Sequence, residues 1–139
     1  MLDTIDTIII ALAVDDNQSL FILLSKNGAI QCMGDGSVNN QDKTIYIGTG
    51  STEFFQKLKE HINPLWLKRC GRYSVPQQRG NKCELSIVFR AQKQEKGIQF
   101  IYGANSQGPP PDITNFIHIA VNLITPWHQK QQKKIEGAT

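Results

Sequence analysis

Cysteine is scarce in this chain. Cys32, Cys70 and Cys83 are the only three among 139 residues, no CxxC occurs, and no histidine stands at a ligand-like spacing from any of them. An odd count without paired motifs argues against a disulfide framework or a zinc site and for reduced thiols. A long hydrophobic run is lacking too. The apolar segment Thr7–Val14 is too short to span a bilayer, and it has neither the basic flank nor the cleavage site of a secretory signal. A cytoplasmic location without a membrane partner is the expectation. Phosphate-binding fingerprints are also missing. Ile45–Glu53 reads strand, glycine turn, helix start, but it has no Gly-Lys-Ser/Thr and no third glycine, and Glu53 would repel an anion. An ordinary turn with a hydroxyl cap is the better reading, and no cofactor is expected. His61, His118 and His128 have no carboxylate or hydroxyl at triad spacing, and the pair Asp15-Asp16 sits in a turn. No catalytic and no metal-binding residue is assigned.

The most telling absence is acid from one stretch. Trp66–Lys82 (WLKRCGRYSVPQQRGNK) carries Lys68, Arg69, Arg72, Arg79 and Lys82 and not a single Asp or Glu. The net charge of +3 hides this imbalance: residues 1–55 hold two cations and seven acids, residues 56–139 thirteen cations and five acids. Such asymmetry bears on partners rather than on fold. Hydrophobic residues make up 40% of the chain, which places it among globular proteins, and its length suits one domain.

The apolar periodicities predict the order ββββ-α-ββ-α. Thr7–Val14 is a strand ending at the turn cluster Asp15–Gln18. Leu20–Leu24 and Ala29–Met33 form a hairpin across Asn27-Gly28, a pair suited to a type I′ turn. That turn sets Lys26 opposite Ala29, Leu23 opposite Cys32 and Ile22 opposite Met33. Both faces of the hairpin are then apolar, which reads as a central strand pair covered on both sides. A polar loop spans Gly34–Ser37 and Asn39–Asp42, and Thr44–Ile47 is a short strand. Ser51 or Thr52 caps a helix bearing Phe54, Phe55, Leu58 and Ile62, and Asn63-Pro64 starts a second short turn closed by Gly71. In Cys83–Ala91 the residues Cys83, Leu85, Ile87 and Phe89 alternate with polar ones, and after a charged turn over Gln92–Gly97 the partner strand is Ile98–Tyr102. The prolines up to Pro111 open the longest helix, with Ile113, Phe116, Ile117, Ala120 and Ile124 as its stripe. Pro126 ends or kinks it, and a basic tail follows. The expectation is a single α+β domain over residues 1–128, with a mostly antiparallel sheet of about six strands and two main helices on one face. Residues 129–139 are read as a polar tail.

The basic stretch admits three readings. Its cations with Trp66 and Tyr73 suit nucleic-acid phosphates and stacked bases. Arg and Tyr also suit an acidic protein surface. The third reading is a solvated loop, with Trp66 drawn into the core four residues after Ile62. The pI near 8.8 falls below the value of about 9 that marks nucleic-acid domains. The candidate binding residues are Arg69, Arg72, Tyr73, Arg79 and Lys82, with the loop Gly103–Gly108 expected nearby.

Leu24–Ile30, a later strand pair and Pro110–Ile113 opening a terminal helix resemble the emfourin type of small α+β metalloprotease inhibitor over about residues 19–124. Two departures are a glycine-rich hairpin only partly matched and a larger segment at 51–82, and no inhibitory residue carries over. The resemblance implies binding of another protein without catalysis. A non-catalytic protein-binding module is therefore the leading expectation. A nucleic-acid domain using residues 68–82 is the alternative, and an enzyme with an unrecognised site is the third.

Overall fold

The computed structural model describes residues 2–36 and 42–137. Ser37 and Asn39–Gln41 of the expected polar loop, and Ala138-Thr139 of the expected tail, lie outside the described residues. Seven strands form one sheet: β1 (Thr7–Val14), β2 (Asn17–Ser25), β3 (Ala29–Gly34), β4 (Tyr46–Thr49), β5 (Gly71–Ser74), β6 (Lys82–Ala91) and β7 (Gln94–Gly103). Their order is β4-β3-β2-β1-β6-β7-β5, antiparallel throughout except for β5 beside β7. Helices α1 (Glu53–Lys59), α2 (Pro64–Lys68) and α3 (Pro111–Gly137) complete a single α+β domain.

Local chemistry accounts for several of these elements. The Asn63 side chain accepts from Leu65 N at 3.0 Å and Pro64 follows in the first turn, so α2 starts where a cap and a pre-set φ coincide. Ser51 Oγ accepts from Glu53 N at the start of α1. The period-2 pattern of β6 buries Cys83, Leu85, Ile87 and Phe89 on one side. Those residues align across the ladder with Ile8, Ile10, Ile22, Leu24, Ile30 and Cys32. The resulting layer meets Phe55 and Leu58 of α1 and Ile113, Phe116, Ala120 and Ile124 of α3, and this is the core.

Four expectations are corrected. The β2–β3 hairpin is one residue out of the expected register: Ile22 faces Cys32 and Leu23 faces Gln31. Only Gly28 has positive φ, at +95°, and Gly28 N donates to Ser25 O, so the loop is Lys26-Asn27-Gly28 with glycine in its left-handed position. The two-residue turn with both φ positive falls instead at Asp15 (φ 50°) and Asp16 (φ 66°), between paired Val14 and Asn17. Strand β7 begins at Gln94, so the charged turn is shorter than Gln92–Gly97. A seventh strand, β5, lies inside the basic stretch.

The fourth correction concerns α3: of the stop or kink expected at Pro126 the stop does not occur, and the helix continues to Gly137 through most of the expected tail. Proline removes one N–H from the helix ladder. Thr125 Oγ1 donates to Val121 O at 2.6 Å in the same turn. Beyond the proline, tertiary contacts hold the helix. Trp127 is buried and its Nε1–H donates to Thr49 O at 3.1 Å, its ring against Gly48 and Gly50. Gln132 donates to Asp42, and the His128 ring lies 5.1 Å from that of Tyr46. Hydrogen bonds from the Thr44 backbone, and then from Gln132 and Tyr46, hold the Asp42 carboxyl below its ordinary range.

Candidate binding surfaces

The structure distributes the five candidate residues over three places. Arg69 caps the end of α2, and its carbonyl accepts from the Tyr73 hydroxyl. Tyr73 is in β5, on the helix side of the sheet, stacked on Phe100 with centroids 5.6 Å apart and rings 23° from parallel. Its neighbour Arg72 points to the other side, as strand alternation requires. Lys82 shares that side with Arg72, but its Nζ is 2.9 Å from Glu84. The hydrogen bond with Glu84 raises the Lys82 pKa and lowers that of Glu84. Arg79 sits in the turn between β5 and β6. Trp66 is buried, edge-on to Phe116, with Nε1–H donating to Asp112 Oδ2 at 3.1 Å. Among the described residues, Arg69, Arg72 and Arg79 make no ion pair.

The loop Gly103–Gly108 lies against this turn. Asn105 N donates to Arg79 O at 2.9 Å, Ala104 N donates to Asn81 O at 2.8 Å, and the Gly103 α-carbon abuts the Arg79 backbone. Between them is a hollow of about 450 Å³ lined by Val75, Pro76, Arg79, Asn105 and Ser106. The acidic front of the chain reaches this end as well, because Asp15 Oδ1 accepts from Lys82 N at 3.0 Å.

A larger surface went unrecognised in the sequence. All three helices take the same side of the sheet, and among the described residues no element covers the other. On that side lie Ile47 (β4), Gln31 and the buried Met33 (β3), Leu23 and Phe21 (β2), Ile9 and Ala11 (β1), and Ser86 and Val88 (β6). Leu23, Phe21, Ile9 and Val88 are half-buried, and Ile47 is 71% exposed, with Ile45 exposed beside it. The expectation that the hairpin is covered on both faces is corrected for β2: it is central in the hydrogen-bonding order, yet among the described residues no helix covers Phe21 and Leu23, whereas Met33 of β3 is buried. The signal was present as apolar residues at consecutive positions in Thr7–Val14 and Leu20–Leu24. Toward β7 and β5 the exposed side chains of the face become polar, with Gln99, Glu84, Lys82 and Arg72 around a buried Ile101.

Among the described residues no group of three or more His, Cys, Asp and Glu is placed to hold a metal ion, and no helix is long and apolar enough to cross a membrane. No protein-family model matches the chain, and no curated protein matches it.

Proposed function

We propose that the chain is a non-catalytic protein-binding module that docks its partner on the open face of the sheet. The observation that supports this is the apolar cluster Phe21, Leu23, Ile9 and Val88, with Ile47 beyond Gln31, which no helix covers among the described residues and which Arg72 borders. A contiguous exposed apolar surface with a polar rim is the usual mark of a protein interface. The partner presents an apolar patch with acidic groups at its edge, facing Arg72. The resemblance of Leu24–Ile30 and Pro110–Ile113 to emfourins points the same way, since those proteins bind another protein without catalysis. Nucleic-acid binding through residues 68–82 is less well supported, because Trp66 is buried and Tyr73 spends one ring face on Phe100.

The test uses Ile47→Glu and Arg72→Glu, both at exposed positions, with Lys133→Glu on α3 as control. A partner captured by the wild-type chain and identified by mass spectrometry is titrated against each variant by calorimetry. Ile47→Glu and Arg72→Glu each weaken binding about tenfold or more with the melting temperature retained, and Lys133→Glu leaves it unchanged. Wild-type affinity in both open-face variants, or loss in the α3 variant alone, overturns the proposal.

A further inference from the structure

The helix side of the sheet carries a second feature, independent of the docking face. In the central strand β1, Ile8 and Ile10 are fully buried against the helices, yet Leu12, next on the same side, is half-exposed. Its ladder neighbours Leu20 and Leu85 are only 1% and 3% exposed, so the sheet is intact there and the cover is what recedes. Helix α3 has more apolar surface than its core contact uses. Besides the buried stripe it carries Ile117 and Val121, four residues apart on one face and only half-buried. Between that second row and Leu12 lies a cleft of about 340 Å³.

One rim of the cleft is polar. Thr114, His118 and Asn122 follow one another at four-residue spacing along α3, Tyr102 approaches from β7, and Asp35 stands at the end of β3. Burial, and then the Cys83 thiol, push the Tyr102 hydroxyl up to about 12. The volume is at the small end of the ~300–1,000 Å³ range of ligand pockets. A helix about 10 Å across does not fit it. Among the described residues no Lys or Arg lines the cleft, so an anionic ligand would find no cation to offset its desolvation.

We propose that this cleft binds a small neutral molecule with an aromatic or alicyclic body and one hydrogen-bonding group held at the Thr114–His118–Asn122 rim. The apolar body rests on Leu12, Ile117 and Val121. The polar end exchanges water for rim groups that already lie at its edge, which fixes orientation as in other small-molecule sites.

Indole is the probe, and indole-3-carboxylate is its anionic counterpart with the same body. Both are titrated into the full chain and followed by NMR shifts of backbone amides and methyl groups. Indole shifts concentrate on Leu12, Ile117, Val121 and Tyr102, and the carboxylate binds about tenfold or more weaker. Val121→Trp, which fills the cleft, abolishes the shifts. His118→Trp, at an exposed rim position that the core does not need, weakens indole about tenfold or more and decides the matter alone if Val121→Trp does not fold. No shifts up to the solubility limit, shifts scattered over the open sheet face, or unchanged affinity in His118→Trp overturns the site. Equal affinity of the two probes overturns the assignment of a neutral ligand.

Discussion

Gly103→Ala probes the joint that fixes the basic turn to the end of β7. Gly103 is buried, and the Arg79 backbone lies so close that an added Cβ overlaps the Arg79 nitrogen and oxygen and stands 2.6 Å from its carbonyl carbon. The obstructing atoms are backbone, so no side chain can rotate away. An ordinary contact near 3.5 Å requires the Arg79 peptide to retreat by more than about 1 Å. That peptide is held by Asn105 N at 2.9 Å, and Asn81 two residues on is held by Ala104 N at 2.8 Å. Overpacking of this kind costs about 1–3 kcal/mol, and each hydrogen bond lost adds roughly 0.5–1.5 kcal/mol. A destabilisation of about 2–4 kcal/mol follows. With an unfolding entropy of about 2.1 cal/mol/K per residue, each kcal/mol lowers Tm by roughly 3–4 °C in a chain of this length. Calorimetry is then expected to record a fall of about 7–14 °C. Gly97→Ala in the same strand is the control. Its Cβ meets only Ile87 O and Val88 Cγ2, both at 3.7 Å, so its stability stays within about 0.5 kcal/mol of wild type. A Gly103→Ala variant as stable as wild type, or a Gly97→Ala variant equally damaged, refutes the reasoning.

Two further predictions concern buried groups. Trp66→Phe keeps an aromatic ring on Phe116 but loses the bond from Nε1–H to the Asp112 carboxylate, for an expected loss of about 2–3 kcal/mol in urea unfolding. In Trp66→Phe, adding Asp112→Asn then costs almost nothing, whereas additive losses would show that the two side chains are not coupled. Burial pushes the Cys32 thiol from 9.0 up to about 11. The folded state thus holds this proton more tightly than the unfolded chain, so the stability it contributes is complete below about pH 9 and is lost as pH rises toward about 11. Urea midpoints of Cys32→Ala are expected to fall less steeply than wild type over that window. Parallel slopes would remove the thiol from the account.

The sequence was readable where the deciding chemistry is local. Asn63-Pro64 carries its own cap and its own φ, and Cys83–Phe89 carries its own alternation, so both elements stand where the pattern puts them. The misread elements depend on distant atoms. Asn27-Gly28 suits a two-residue or a three-residue loop. Tertiary contact accompanies the longer one here: Gly50 N donates to Gly28 O, and a Cβ on Gly28 would stand 2.9 Å from Gly50 O. Gly71–Ser74 has no strand pattern of its own. It becomes β5 because β7 offers a free edge and Phe100 a ring for Tyr73. Pro126 has the chemistry of a helix stop, and the helix passes it because Trp127 is seated on Gly48 and Gly50 some 80 positions earlier in the chain. The four candidate cations and Tyr73 fall within fourteen residues of sequence, Arg69 to Lys82, but strand alternation and the turn after β5 send them to different sides.

The same logic bears on the open face. Strand β1 and the Leu20–Leu24 part of β2 carry apolar residues at consecutive positions, and nothing local distinguishes the side that helices will take from the other. The choice is made by connections. α1 and α2 follow β4 and α3 follows β7, and all three settle on the Ile10–Ile22–Ile87 side, where Phe55, Leu58, Phe116 and Ile124 interlock. Once that side is filled, Ile9, Phe21, Leu23 and Val88 have no helix left to meet among the described residues. Polar residues at these positions would cost an open sheet little, since an antiparallel sheet with one solvated face ordinarily alternates polar and apolar. In β6, Glu84 and Ser86 follow that rule on the same face, while β1 and β2 break it. The departure runs from Ile47 in β4 across β2 and β1 to Val88 in β6, which is the stretch a docked partner would cover.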